Sequence, residues 1–190
     1  MTNSGASKRN KRHNAGSRTG QALPLKPTRG GFLRPFGCAW FIKEFLLGNA
    51  PYGSPQIDPN IGAPQADIFH HYKEALLKAT ALDRATREEE RRARRGKRRI
   101  SPEEIERLTE AYAARMAYKS SSCRYHSFVV YFSNLHRLGW VEFTGREEPS
   151  AFQDHYPAGP PRRYYRLTPA GRATRDAAWA NPLSALYGGS

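Results

Sequence analysis

Cysteine is nearly missing from this chain: Cys38 and Cys123 are the only two in 190 residues, and neither has a CxxC partner. A disulfide scaffold is therefore excluded as the organising device, and reduced, partly buried thiols are expected. No apolar run approaches the roughly 20 residues that span a bilayer, and the polar, basic N-terminus lacks the apolar stretch of a secretory signal. There is no Gly-rich phosphate loop, no Gly-x-Ser-x-Gly, no carboxylate pair within an apolar segment and no solenoid-period repeat. No catalytic residue is expected, and the chain reads as non-enzymatic.

Acid is also scarce, and its absence is local. Residues 1–31 carry Lys8, Arg9, Lys11, Arg12, Arg18, Lys26 and Arg29 with no Asp or Glu, among Gly, Ser, Asn and Pro that cannot build a core. They are expected to form a disordered basic arm, either one that orders on DNA or RNA phosphates or a merely solubilising tail. The whole chain has a formal charge of +14 and a pI near 10.2, which points to a polyanionic partner, nucleic acid before anionic lipid. A cytoplasmic, nucleoid-associated location follows as an expectation. One compact domain over 32–190 accounts for the remaining length.

Within that domain the composition turns abruptly apolar at Phe36, Cys38, Trp40, Phe41, Ile42, Phe45, Leu46 and Leu47, then stops at Gly48-Asn49. A helix that is apolar nearly all round belongs inside a domain. The Pro- and Gly-rich stretch from Pro51 to Gln65 predicts a surface loop with neither helix nor inner strand. A second helix follows Asp67, read as its N-cap, with Ile68, Tyr72, Ala75, Leu76, Ala79 and Leu82 as its buried stripe. Residues 83–99 are an arginine-rich linker or helix extension, with Glu88, Glu89 and Glu90 one turn before arginines and Gly96 as the stop; the segment reads either as a solvated helix face and linker or as a second phosphate-contacting surface.

Ile100-Ser101-Pro102-Glu103-Glu104-Ile105 combines a Ser cap, Pro at the first helical position, a capping-box Glu104 and an Ile100–Ile105 staple. A helix over about 102–118 follows, with Ile105, Leu108, Tyr112 and Met116 on one face. Ser120-Ser121-Ser122 interrupts it, and Phe128, Tyr131, Phe132, Leu135 and Leu138 mark the buried stripe of a helix over 122–138 that Gly139 ends. Trp140 to Thr144 then reads as a strand, residues 145–161 as a long loop and Arg162 to Leu167 as the returning strand, with Tyr165 and Leu167 facing the core. Thr168-Pro169 starts a last helix running to about Asn181.

Opposite the apolar stripe of helix 122–138 lie Ser122, Arg124, His126, Ser127, Val130, Asn134 and Arg137. Short polar and cationic groups on an exposed helix face suit a major groove, where Arg124 can chelate a guanine edge and Ser127 or Asn134 can read bases or hold phosphates. Arg146, Arg162, Arg163 and Arg166 on the two-stranded projection are placed for phosphate or the minor groove, opposed by Glu147, Glu148 and Asp154. His70-His71 with Glu74, and Cys123 with His126, present donors on helical faces but fall short of a full ligand set, so no metal site and no cofactor are expected.

Leu135-His136-Arg137-Leu138-Gly139-Trp140-Val141-Glu142, followed by Arg162-Arg163-Tyr164-Tyr165-Arg166-Leu167-Thr168-Pro169-Ala170-Gly171-Arg172, resembles the helix-wing-helix passage of PadR- and MarR-like winged helix-turn-helix transcription regulators. The resemblance covers about a quarter of the chain, or 100–180 if residues 101–119 supply the first helix of the motif. It implies a mainly α fold with a small β-wing, here with a helical insertion, that binds double-stranded DNA and is dimeric in those families. A homodimer through Trp179, Leu183, Leu186 and Tyr187 is one partner left open. The alternative is an assembly protein of a nucleoprotein particle that uses the winged helix for protein docking; a nucleic-acid processing factor is a further rival. Target sequence, effector ligand, and DNA against RNA are not readable from the residues.

Overall fold

The computed structural model describes residues 36–116, 123–150 and 160–187. The expected basic arm at 1–31 and the tip of the long loop lie outside them. The described chain is mainly helical, with one small antiparallel sheet: α1 (Cys38–Leu46), β1 (Ala63–Pro64), α2 (Gln65–Arg94), α3 (Pro102–Arg115), α4 (Tyr125–Arg137), β2 (Val141–Glu148), β3 (Arg162–Leu167), α5 (Pro169–Ala173), α6 (Asp176–Ala180) and α7 (Pro182–Tyr187). No helix among the described residues is long and apolar enough to cross a membrane.

As its composition predicts, α1 is the centre of the core. Phe36, Phe41, Ile42, Phe45 and Leu46 are fully buried, and Phe36 stacks on Tyr52 while Phe41 meets Tyr72 of α2. Burial of a large apolar side chain is worth roughly 1.5–3 kcal/mol, so this one short helix anchors the domain. The sequence misleads at Lys43, which is buried on α1 and ion-paired with Asp176 of α6 at 2.6 Å. Its stem packs with the core, and the largely buried ammonium reaches the carboxylate of a residue that is itself exposed.

The Pro- and Gly-rich segment is a loop for most of its length, but it holds a short 3-10 turn at Pro51–Gly53 and the two residues of β1. β1 pairs antiparallel with β3, Ala63 against Tyr165 and Pro64 against Tyr164, so the sheet order is β1-β3-β2. A proline is tolerated there because β1 is an edge strand. β2 and β3 run in register from Val141 opposite Leu167 to Phe143 opposite Tyr165, and resume at Glu147 opposite Arg163 after a bulge that includes Gly145.

Asp67 does not cap α2. Pro64 holds that position, and Asp67 sits in the first turn, where its carboxylate accepts a hydrogen bond from Arg162. From there α2 runs without a break through the arginine-rich segment to Arg94, so residues 83–94 are a helix extension and not a linker. Ser101 caps α3 through the complete reciprocal box: its hydroxyl accepts from the Glu104 amide at 3.2 Å, and its own amide donates to the Glu104 carboxylate at 3.0 Å.

α3 returns along the distal half of α2 as one arm of a helical hairpin, and none of its residues is fully buried. The expectation that residues 101–119 provide the first helix of a helix-turn-helix is therefore corrected. It is the first half of α2 that seats α4, through Phe69 against Tyr125 and Phe128, both at ring-centroid distances of 5.1 Å. The error came from adjacency: α3 precedes α4 in the chain, but its half-buried face is spent on α2.

Gly139 ends α4 as the sequence predicts. It lies at φ +68°, and the Trp140 amide donates back to the Leu135 carbonyl while the Gly139 amide donates to that of His136, the paired bonds of a Schellman motif. The single last helix to about Asn181, by contrast, is two short ones, α5 and α6, with α7 following from Pro182. Thr168 caps α5 as expected, but the chain is extended at Thr174 and Arg175 before α6 begins. That break lets Trp179 turn inward, pack on Trp140 at 4.9 Å and donate from its indole nitrogen to the Gly171 carbonyl at 3.1 Å.

Candidate nucleic-acid interface

α4 is seated by Phe128, Phe132 and Leu135, all buried at i, i+4 and i+7, with Phe132 edge-on to Tyr165 of β3 at 5.0 Å. That leaves the opposite face to solvent. Arg124, which holds the N-cap position, and His126, Ser127, Val130 and Arg137 are all exposed, and Asn134 is half-buried. Arg124 and Arg137 have no ion-pair partner among the described residues, and they stand about 20 Å apart at opposite ends of the helix. Ser122, the remaining member of the expected set, lies outside the described residues.

The sheet arginines are in a different electrostatic state. Arg163 donates to Glu147 at 2.7 Å, Arg166 donates to Glu142 at 2.8 Å, Arg146 pairs with Glu148 at 2.5 Å and Arg162 pairs with Asp67. Two of them also lie over rings, Arg146 above Tyr164 at 4.4 Å and Arg163 above Phe143 at 5.7 Å. Hydrogen bonds from Tyr164 and then Arg146 hold the Glu148 carboxyl below its ordinary range, and desolvation followed by Glu148 pushes the Tyr164 hydroxyl up. Placed where the sequence expects them, these arginines are already matched by carboxylates and offer far less net positive field than their number implies.

Arg162 and Arg163 share a groove with the start of α4. With Gln65, Asp67, Tyr125 and Tyr165 they line a groove of about 670 Å³ between the start of α2, β3 and the first turn of α4. Arg166, paired with Glu142 further along the sheet, is not among its lining residues.

The excess charge lies elsewhere. Residues 1–35 hold eight Lys and Arg without an acid, and residues 84–99 hold nine against three acids. Those two segments carry the whole formal charge of +14, leaving the rest of the chain balanced. On α2, Arg84, Arg87, Arg91 and Arg94 recur at helical spacing along one face, and with Glu90 and Tyr112 of α3 they line a second groove of about 670 Å³. Arg87 pairs with Asp83 and Arg91 with Glu88, each at 2.8 Å, and Arg94 with Glu90 at 3.9 Å; such exposed pairs along a helix are worth only about 0.3–0.5 kcal/mol. Arg92, Arg95, Arg98 and Arg99 have no ion-pair partner among the described residues. The 3-4-3 spacing of the four groove arginines is legible in the sequence.

The dimer face is also revised. Trp179 is buried in the domain's own core, so it cannot serve a partner, while Leu183 and Tyr187 are exposed. No protein-family profile, curated protein or solved structure matches this chain.

Proposed function

We propose that this chain is a non-catalytic, DNA-binding winged-helix protein acting in transcription regulation, with α4 entering the major groove and the α2–α3 hairpin supplying phosphate contacts. The observation that carries the reading is the solvent face of α4, with uncompensated Arg124 and Arg137 at its two ends, presented beside a sheet of order β1-β3-β2. Helix, edge strand, helix, then helix and two returning strands is the order of a winged helix; the distal half of α2 with α3 is then an insertion between the two helices that pack as a helix-turn-helix. In such a fold the N-terminal residues of the second helix reach base edges, the position of Arg124, His126 and Ser127.

The pairing of the sheet arginines divides the labour. α4 supplies any base preference, and the hairpin together with the basic N-terminal segment supplies the salt-dependent affinity. Binding to duplex DNA across a salt series tests this. A steep inverse dependence is expected, and a flat response, or no binding at low salt, refutes it. Replacing Arg92, Arg95, Arg98 and Arg99 with Ala lowers the salt slope on every duplex, whereas Arg124→Ala and Arg137→Ala change the preferred sequence.

Protein docking within a nucleoprotein particle is the second reading, favoured by one observation. Val130, a half-exposed apolar side chain, lies on the solvent face of α4. A partner that remains bound after nuclease treatment and is lost in Val130→Glu would support it over groove reading.

A further inference from the structure

We propose that His70, His71 and Glu74 on α2 form a binding site for a divalent transition-metal ion of the Zn²⁺, Co²⁺ or Ni²⁺ kind. The site stands apart from the reading of α4 and does not depend on it. Along a helix each residue advances by about 100°, so Glu74 projects between the directions of His70 and His71, one turn further on. The carboxylate uses that position fully: one oxygen lies 3.3 Å from His70 Nε2 and the other 3.1 Å from His71 Nδ1. One donor atom from each residue lies within 4.8 Å of the others, and no second group of this kind occurs among the described residues.

Those separations are hydrogen-bond distances between the rings and the carboxylate, and they also lie close to the spacing of donors around one ion. Donors bound tetrahedrally at about 2.1 Å stand about 3.4 Å from one another, so an ion can enter with small side-chain rotations. The platform is rigid, because Ile68, Tyr72 and Ala75 on either side of the site are buried, and the His71 ring stacks on Phe45 of α1 at 5.5 Å. Two imidazole nitrogens and one carboxylate oxygen select first-row transition ions of borderline softness over Mg²⁺ and Ca²⁺, which require oxygen donors. Three protein ligands leave at least one coordination position open to water or to a donor from a partner. The sequence showed the three residues but not that one carboxylate spans both rings.

The test is calorimetric titration of the full chain with Zn²⁺ in the presence of excess Mg²⁺, beside Co²⁺ absorption spectra. One saturable equivalent is expected, with Zn²⁺ raising the melting temperature. His70→Ala and Glu74→Gln change exposed side chains outside the core, so their circular dichroism should match the parent while Zn²⁺ affinity falls at least about tenfold. Displacement by Mg²⁺, absence of saturable binding, or undiminished affinity in both variants would overturn the site.

Discussion

Lys43, 8% exposed on α1, donates a 2.6 Å hydrogen bond to Asp176, whose side chain is 72% exposed at the start of α6. The pair is thus lopsided: one charge is held by the core and the other by solvent. It joins residues 133 positions apart in the chain and fixes the C-terminal helices on the central one.

The first prediction follows from that asymmetry. Asp176→Ala leaves a buried ammonium without its carboxylate and should lower unfolding stability by roughly 1–2 kcal/mol, while Lys43→Met removes the buried charge together with its need for a partner and should cost less. Urea denaturation of both variants measures the difference. Equal losses would show that the pair contributes through packing alone.

Gly171 is fixed by contact. A Cβ at this position would stand 2.1 Å from the Trp140 carbonyl oxygen, which belongs to backbone and cannot rotate away. Gly171→Ala should therefore destabilise by more than the ordinary 0.5–3 kcal/mol of a point substitution, or prevent folding. Gly139→Ala meets no atom within 4 Å and suffers only the left-handed backbone, a loss of about 1–2 kcal/mol. Thermal unfolding of the two variants should rank them in that order.

The capping box of α3 carries an unusual share of local order, because α3 has no fully buried residue to hold it. Ser101→Ala should cost about 1 kcal/mol. The loss should be felt in the hairpin before the core, as faster proteolysis between 97 and 115 with the main melting transition little changed. A variant cut no faster than the parent would mean that packing on α2 suffices.

Burial, and secondarily the Cys38 thiol, push the Tyr131 hydroxyl far above its ordinary value of 10. A group raised on folding contributes stability that is intact below its unfolded value and declines as pH climbs from there towards the folded value. Stability should accordingly fall above about pH 10. Tyr131→Phe should flatten that alkaline decline, read from denaturant midpoints between pH 9 and 11.

Local signals were legible in the sequence and pairings at a distance were not. Ser101, Thr168 and Gly139 act on neighbours within a few residues, so their caps and stops could be read directly. β1 escaped notice because it is two residues long and half proline, with nothing to mark it until β3 pairs with it. The opposite placement of Glu142 and Arg166 needed the strand register, which Val141 opposite Leu167 sets. Without it the arginines read as a cationic wing opposed only in general by Glu147, Glu148 and Asp154, with no carboxylate assigned to any one of them. α3 was assigned to the wrong partner for the same reason, since its half-exposed face fits α2 or α4 equally well on pattern alone.

The unbroken length of α2 has one more consequence. Thirty residues make a rod about 45 Å long, with the rings that seat α4 near one end and Arg94 at the other. The spacing between the two basic surfaces is therefore set by residue count along a stiff element and not by a tether. Adding or deleting residues between Leu82 and Arg84 would turn the arginine row about the helix axis by about 100° each, making this protein a ruler whose graduations are single amino acids.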